Sequence, residues 1–334
     1  MMSCQAAIIN ELGKLLSADG RVDTSFSVIF LKGQRAYKIK REIKNGFLDF
    51  STLAKRKFLC GRELEINKRN SPGLYKGVVF VYRGGGGALE LWSGGKLPAG
   101  APEEYMLEMN RFEEDQLLAK LSGKRLLTEP LCLSVAEKIA QMHTAAPVVN
   151  CADYAGKFLT VVNIIIDQFR DSAAGIVPGE ALEEVPGKLL AAYSSCRGVL
   201  ARRGAARVIR ECHGDLHLGN ICLFEGAPCI FDAVEFNTEF THIDTLYDLS
   251  FLIMDLHHHG LPGLAAKISG KYLTDTGTDV AEFRSVMPLY LGLRSIIRCS
   301  ISAAGSKNNP SVKTVSELKE EALKYLRETL GFLS

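Results

Sequence analysis

The sequence predicts an α+β fold in two parts, a β-rich first third followed by a mostly helical remainder. Short runs rich in Val, Ile and Phe, bounded by turn residues, crowd the first third, with one long helical pattern among them. Past residue 130 the apolar residues recur at helical spacing almost without interruption. The exception is 208–237, where brief apolar runs alternate with turn residues.

Taken in order, residues 1–20 carry Ala7, Ile8, Ile9, Leu12, Leu15 and Leu16, which predict a short helix ended by Gly20. Ser25–Leu31 and Ala36–Arg41 read as strands, and the turn Lys32-Gly33-Gln34-Arg35 joins them into a hairpin. Phe47–Asn70 holds the long helix, with Ser51 as its N-cap and Asn70-Ser71-Pro72-Gly73 as its end. Val78–Tyr82, Ala88–Trp92 and Glu104–Met109 are further strands, with a flexible turn at Gly84–Gly87 and a loop at Gly94–Pro102. After a connector near 105–112, helices are expected at Leu133–His143, Ala155–Phe169, Leu182–Ala201, Thr245–His257, Val286–Ala303 and Val315–Leu330.

A chain of 334 residues suits two domains or one two-lobed domain. Hydrophobic residues at 47% against 23% charged supply material for two cores. A net charge of +2 gives no electrostatic reason to expect nucleic acid or an anionic membrane as partner. The nine cysteines include no C-x-x-C pair, which speaks against zinc-ribbon and thioredoxin-like sites and for buried thiols in a reducing compartment. With no secretory pattern and no long apolar stretch, the cytoplasm is the expected location.

The chemistry concentrates in His213-Gly214-Asp215-Leu216-His217-Leu218-Gly219-Asn220 and in Cys229-Ile230-Phe231-Asp232, with Ile221–Phe224 and a turn between them. Asp215 leads Asn220 by five positions, and a hairpin carries Asp232 to the end of its second strand. Phosphoryl transfer from a nucleotide asks for such a set. One carboxylate orients the attacking hydroxyl and accepts its proton; an amide oxygen and a second carboxylate hold magnesium, which takes hard oxygen ligands.

This pattern, H-G-D-x-H-x-x-N followed by I-x-D, resembles the catalytic loop of the aminoglycoside phosphotransferase and choline kinase group, relatives of the protein kinases. Ser134–Pro147 is similar to the helix before that loop, and Asp244…Asp248-Leu249 to its continuation. More narrowly, Arg35-Ala36-Tyr37-Lys38, Phe47–Ser51, Leu74–Val78 and Met254-Asp255-Leu256 resemble an uncharacterised bacterial branch whose members often carry a second, P-loop ATPase domain. No G-x-x-x-x-G-K-[ST] run occurs here, so that domain is not expected in this chain.

The resemblance implies a protein-kinase-like two-lobed fold, with 1–108 as a nucleotide-binding lobe and 109–334 as a helical catalytic and substrate lobe. It implies ATP and Mg2+ as cofactors, Asp215 as catalytic base, and Asn220 and Asp232 as metal ligands. The acceptor expected is a hydroxyl of a small molecule, such as a sugar, an amino sugar or an aminoglycoside-like compound. Two other readings stand beside it: an inactive nucleotide-binding regulatory module, and a nucleotidyl transferase. Retention of Lys38, Asp215, Asn220 and Asp232 favours the active kinase.

The kinase-like fold asks for a strand lysine. Ala36-Tyr37-Lys38 matches A-x-K, and strand period puts Ala36, Lys38 and Lys40 on one face, with Lys40 the rival of Lys38. Ala36 would then underlie the adenine. The lysine's partner is Glu63 or Glu65; Glu63 lies beside the apolar stripe and matches the family's position, so it is preferred. Ser25 and Ser27 flank the place of the phosphate loop, and backbone groups at Glu108 and Met109, within Glu108–Arg111, are expected to meet adenine where their strand ends. His217 and Glu235 touch substrate or support the loop. Arg294 and Arg298, four apart on an apolar helix, need buried acids or an anionic substrate as partners. His143 reads as a core or capping residue. His257-His258-His259 reads as a solvated helix end, since adjacent helical residues point in different directions.

Overall fold

The computed structural model describes residues 4–46, 48–94, 101–307 and 313–334. Phe47, residues 1–3 of the first expected helix and residues 95–100 of the expected loop lie outside them. In chain order the elements are α1 (Cys4–Leu15), β1 (Gly20–Asp23), β2 (Ser27–Lys32), β3 (Arg35–Lys40), α2 (Leu53–Asn70), β4 (Tyr75–Arg83), β5 (Leu89–Trp92), β6 (Glu104–Asn110) and α3 (Leu118–Gly123). There follow α4 (Glu129–Ala145), α5 (Tyr154–Ala173), α6 (Ala181–Ala205), β7 (Ile209–Glu211), β8 (Ile221–Phe224) and β9 (Ala227–Ile230). The chain closes with α7 (Thr238–Thr241), β10 (His242–Asp244), α8 (Thr245–His258), α9 (Pro262–Thr276), α10 (Val280–Lys307) and α11 (Val315–Phe332).

The chain divides into two compact units, one made of 1–124 and 219–241, the other of 125–218 and 242–334. A single boundary at 108/109, as read from the sequence, differs from this division. The hairpin β8–β9 packs with the β-rich unit because its Cys222 and Cys229 join that unit's apolar cluster, a partnership across more than a hundred residues that no local pattern announces.

In the β-rich unit six antiparallel strands run in the order β1-β2-β3-β6-β4-β5. Period-two alternation sorts their side chains onto two faces. Val28, Phe30, Ile39, Val79, Val81 and Met106 face Ile8, Ile9 and Leu12 of α1 and Leu16 just after it. On the other face, Tyr105 and Leu107 pack with Cys60 of α2, and Ala36 and Met109 pack with Leu74, Tyr75, Cys222 and Cys229. Helix α2 starts at Thr52, whose side chain accepts from Lys55 N. Ser51, the expected cap, instead donates its hydroxyl to Asp49. The helix buries Leu59, Cys60, Glu63, Ile66, Asn67 and Asn70, a stripe at helical spacing. Its Arg56 forks onto the buried Glu104 of β6 at 2.9–3.0 Å, which fixes the helix against the sheet.

Three further expectations are corrected. The first helix ends at Leu15, and Gly20 opens the polar, exposed edge strand β1. β6 lies between β3 and β4 in the middle of the sheet, so it is a core strand with the connector after it. Helices α3 and α9 were not expected.

The second unit is helical. α10 packs on α5, α6, α8 and α11, and α9 packs on α4 and α8. A short antiparallel pair, β7 with β10, lies in it. The buried Arg203 of α6 grips Asp244 through two bonds of 2.6 and 2.7 Å, and Tyr290 of α10 donates to the same carboxylate. Nearly every residue of α8 is buried. Among the described residues, no helix is long and apolar enough to cross a membrane. None of the eight cysteines whose side chains are described is in a disulfide, and all eight are buried.

Candidate active site

The strand lysines of the β-rich unit come first, because secondary structure alone aligns them. Lys38 and Lys40 lie two apart on β3 and share its inner face. Glu63, on the buried stripe of α2, reaches both: Lys38 Nζ donates to its Oε1 at 2.7 Å, and Lys40 Nζ pairs with its Oε2. Glu65 is exposed and pairs with Arg62, so the structure selects Glu63. The two lysines are not alternatives. Lys38 also pairs with Asp232 and Lys40 with Glu235, and both acids follow β9.

Charge and burial set the electrostatics of this cluster. Burial alone would raise the Glu63 carboxyl, but the Lys38 and Lys40 charges overcome it and hold it down to about 2. Burial likewise opposes the Lys38 charge, yet Asp232 and Glu63 keep its ammonium well above the ordinary value. Glu235 moves the other way: burial, aided by Glu63, raises its carboxyl in spite of Lys40.

Asp232 has φ 63, the left-handed region. That conformation is uncommon for residues other than glycine and costs about 1 kcal/mol or more unless the surroundings impose it. Here they do. Asp232 N donates to Tyr75 Oη at 3.1 Å and Ala233 N to Asn67 Oδ1 at 3.0 Å, while Ser71 Oγ donates to Ile230 O at 2.7 Å. Sequence reading missed Asn67, Ser71 and Tyr75. A buried Asn one turn after Glu63, on an otherwise apolar stripe, was the signal available. Asn220 lies on the adjoining part of the hairpin, where its carbonyl accepts from Phe231 N at 3.0 Å. Asn220 and Asp232 offer hard oxygen atoms, and the Asp232 side chain is 44% exposed, so this donor set fits a magnesium ion that keeps several waters.

The remaining expected nucleotide residues are in the same unit. Ala36 and Met109 belong to an apolar cluster with Ile29, Leu31, Phe112 and Phe231 against it. Ser27 is buried at the start of β2, where Thr24 Oγ1 closes the β1–β2 turn by accepting from Ser27 N; Ser25 is exposed at the tip of that turn. Of the backbone groups of Glu108–Arg111, expected to be free at a strand end, two N–H groups are already bonded: Asn110 N donates to Leu74 O and Arg111 N to Gln34 O, because β6 has a neighbour on each side. Glu108 itself pairs through its side chain with Arg35. Gly84–Gly87 forms a turn, closed by Gly87 N donating to Gly84 O at 2.9 Å.

In the helical unit the loop 213–218 is held by its backbone. Asp248 of α8 accepts from His213 N at 3.1 Å and Gly214 N at 2.8 Å. Asp255, two turns on, accepts from Leu218 N at 2.9 Å, and Arg294 donates to Gly214 O and Tyr247 O while stacking on the Tyr247 ring at 3.9 Å. Arg294 is therefore a structural clamp on the loop. Besides these carbonyls, the Arg294 charge acts on the buried Asp248.

Asp215 stands on this loop with its carboxylate 41% exposed and His217 Nε2 3.4 Å away. Burial would raise its carboxyl, but the His217 hydrogen bond and the His217, His213 and Arg298 charges outweigh burial and lower it. A lowered carboxyl is ionised, hence able to accept a proton. His217 also packs on Phe251, which supports the loop-holding alternative for that residue. Arg298 lies over the Tyr325 ring at 5.8 Å.

His143 is a core residue: Nδ1 bonds to Tyr272 Oη at 2.8 Å and Nε2 to Asp248 at 3.0 Å. With Cys212 these side chains bring ligand atoms within 4.8 Å of one another, but the imidazole and carboxylate are already hydrogen-bonded, so the group is a support for the loop. The helix end expected to be solvated is only partly so: His257 packs on Phe332, His258 is stacked on Tyr325 and paired with Glu328, and His259 bonds to Asp255 O with its ring edge-on to His258.

No protein-family model matches the chain. An uncharacterised protein of Mycobacterium tuberculosis is 28% identical over 283 residues, 84% of this chain and 53% of that protein. The chain thus spans about half the length of the curated relatives it matches. Among solved structures, an ethanolamine kinase of Plasmodium vivax superposes with a TM-score of 0.56 at 9% identity, covering 98% of this chain and 89% of that one. A choline/ethanolamine kinase family protein of Mesorhizobium loti gives 0.52 at 12% identity, covering 97% and 98%. The chain has the protein-kinase-like fold of these proteins, a β-rich unit and a helical one, as the resemblance implied.

Proposed function

We propose that the chain is an ATP-dependent small-molecule kinase that transfers the γ-phosphoryl group to an alcohol hydroxyl of a sugar, amino sugar or similar acceptor. The observation that carries this reading is Lys38 paired at once with Glu63 of α2 and with Asp232. A lysine and a carboxylate that pair with each other offer one group for the phosphates and one for the metal of a metal nucleotide. Lys38 takes the phosphates, with Glu63 aiming it; Asn220 and Asp232 hold magnesium, which when bound neutralises phosphate charge. The apolar cluster at Ala36 and Met109 packs the base, whose edge meets backbone beyond Arg111 rather than the occupied N–H groups of Asn110 and Arg111. Asp215, kept ionised by its lowered carboxyl, orients the acceptor hydroxyl by accepting its hydrogen bond and takes the proton as the phosphoryl group is transferred. The fold shared with proteins named as ethanolamine and choline kinases supports a small alcohol as acceptor.

The test is incubation with γ-labelled and α-labelled ATP, magnesium and a panel of hydroxyl-bearing metabolites. Label from the γ position should appear in product. Transfer of α-label would make the protein a nucleotidyl transferase, and nucleotide binding with neither transfer would make it a regulatory module.

A further inference from the structure

The acids and lysines of the β-rich unit form one continuous ladder, Asp232–Lys38–Glu63–Lys40–Glu235, with signs alternating at every step. The phosphotransferase reading uses only its first three members. Lys40 and Glu235 are left over, and both are nearly sealed: their side chains are 3% and 6% exposed, against 12% for Lys38 and 44% for Asp232. The ladder therefore has a wet end and a dry end. Phe50 covers the dry end, its ring centroid 5.1 Å from Lys40 Nζ, and Phe236 packs edge-on against Phe50 at 6.2 Å.

We infer that Lys40 and Glu235 are positioning residues that keep Glu63 and the Asp232 segment in place while Lys38 and Asp232 turn to a metal nucleotide. The inference rests on the kinase reading above. When Lys38 shares its ammonium between Glu63 and the phosphates, Glu63, fully buried on α2, keeps Lys40 as its second partner, so its charge stays compensated. When Asp232 moves toward a metal, its chain is pinned from both sides. Asn67, Ser71 and Tyr75 hold the backbone around it, and three residues later Glu235 is tied to Lys40 and Phe236 to Phe50. One carboxylate spans two lysines because strand spacing sets them ~7 Å apart on one face and each takes a different oxygen of Glu63. The sequence reading took Lys40 for a dispensable rival; its burial between two acids argues otherwise.

The test measures Mg-ADP affinity by calorimetry alongside the melting temperature without ligand, for wild type, Glu235→Gln, Lys40→Met and the double variant. The double variant removes one charge of each sign and should fold as wild type does, since a buried pair can be replaced by neutral groups of similar size. It should nonetheless bind Mg-ADP about tenfold more weakly, the usual cost of losing a group that orients a metal ligand. Wild-type affinity in the folded double variant overturns the inference. Should that variant fail to fold, Glu235→Asp keeps the charge and shortens its reach; it is expected to weaken Mg-ADP binding, and unchanged affinity overturns the inference equally. If wild type itself binds no Mg-ADP at millimolar concentration, the kinase reading fails instead.

Discussion

The two units hold their principal acids by opposite means. In the β-rich unit Asp232 is held by charge, through Lys38 and the ladder behind it, and its segment takes a left-handed turn that side chains of α2 and β4 enforce. In the helical unit Asp215 stands on a loop held through its main chain, with Asp248, Asp255 and Arg294 bonded to backbone atoms of residues 213, 214 and 218. The first arrangement lets a side chain exchange partners when a charged ligand arrives. The second fixes the main chain on which Asp215 stands, while His217 and the Arg298 charge act on its carboxylate. On the proposed kinase reading, the first kind of support suits a group that grips a cation and the second a group that meets a neutral hydroxyl.

Substitutions should separate the two. The largest effect on turnover is expected from Asp215→Asn, a loss of roughly 10²–10⁴, the range for a general base, with nucleotide affinity kept in titrations. Asp232→Ala should instead weaken Mg-nucleotide binding together with turnover. The reverse pattern would exchange the roles assigned to the two units.

Next in size is Asp248→Ala. It strands His213 N, Gly214 N and His143 Nε2 in the interior, at ~3 kcal/mol or more for several unmet donors, to be read from urea unfolding.

Acid should act on the ladder through Glu63. Its carboxyl is held at about 2 in the fold against an ordinary 4.5, so the stability it contributes is complete above its ordinary range and lost as pH falls from there toward 2. Glu235, raised by burial, contributes in the opposite sense: its share fades as pH rises through its own elevated value. The melting temperature should fall as pH drops below 4.5, and Glu63→Gln should flatten that slope.

A smaller shift is expected from His217→Ala. Without the His217 hydrogen bond the Asp215 carboxyl rises, so the acid limb of the turnover profile should move to higher pH with little change at its plateau. Glu65→Ala, which removes an exposed pair with Arg62, should change neither turnover nor melting within error.

What was legible in the sequence follows the same division. Lys38, Glu63 and the β-strand faces could be read because period two and period 3.6 are local rules: they place Ala36, Lys38 and Lys40 on one face and Glu63 beside Leu59, Cys60 and Ile66 wherever the elements go. The Asp215–Asn220–Asp232 spacing was legible for the same reason, being carried by one loop and one hairpin. Strand β1 was missed because its residues are polar and exposed at a sheet edge. Helix α9 went unread too, as the stretch between His258 and Val280 was given no element at all.

By itself, then, the sequence determined the type of most elements, the face on which Lys38, Lys40 and Glu63 lie and the spacing of Asp215, Asn220 and Asp232, since these depend on neighbours within a turn or two of chain. The tertiary structure alone decided that β6 is a central strand whose N–H groups at Asn110 and Arg111 are spent, and that the hairpin 219–241 packs with the β-rich unit. It also decided that Lys40 and Glu235 close a ladder rather than compete with Lys38, and that Asp248 and Asp255 carry the loop. Each of these is a contact between groups tens to hundreds of residues apart. Such a contact depends on where folded elements come to rest, and no periodicity in the chain encodes that distance.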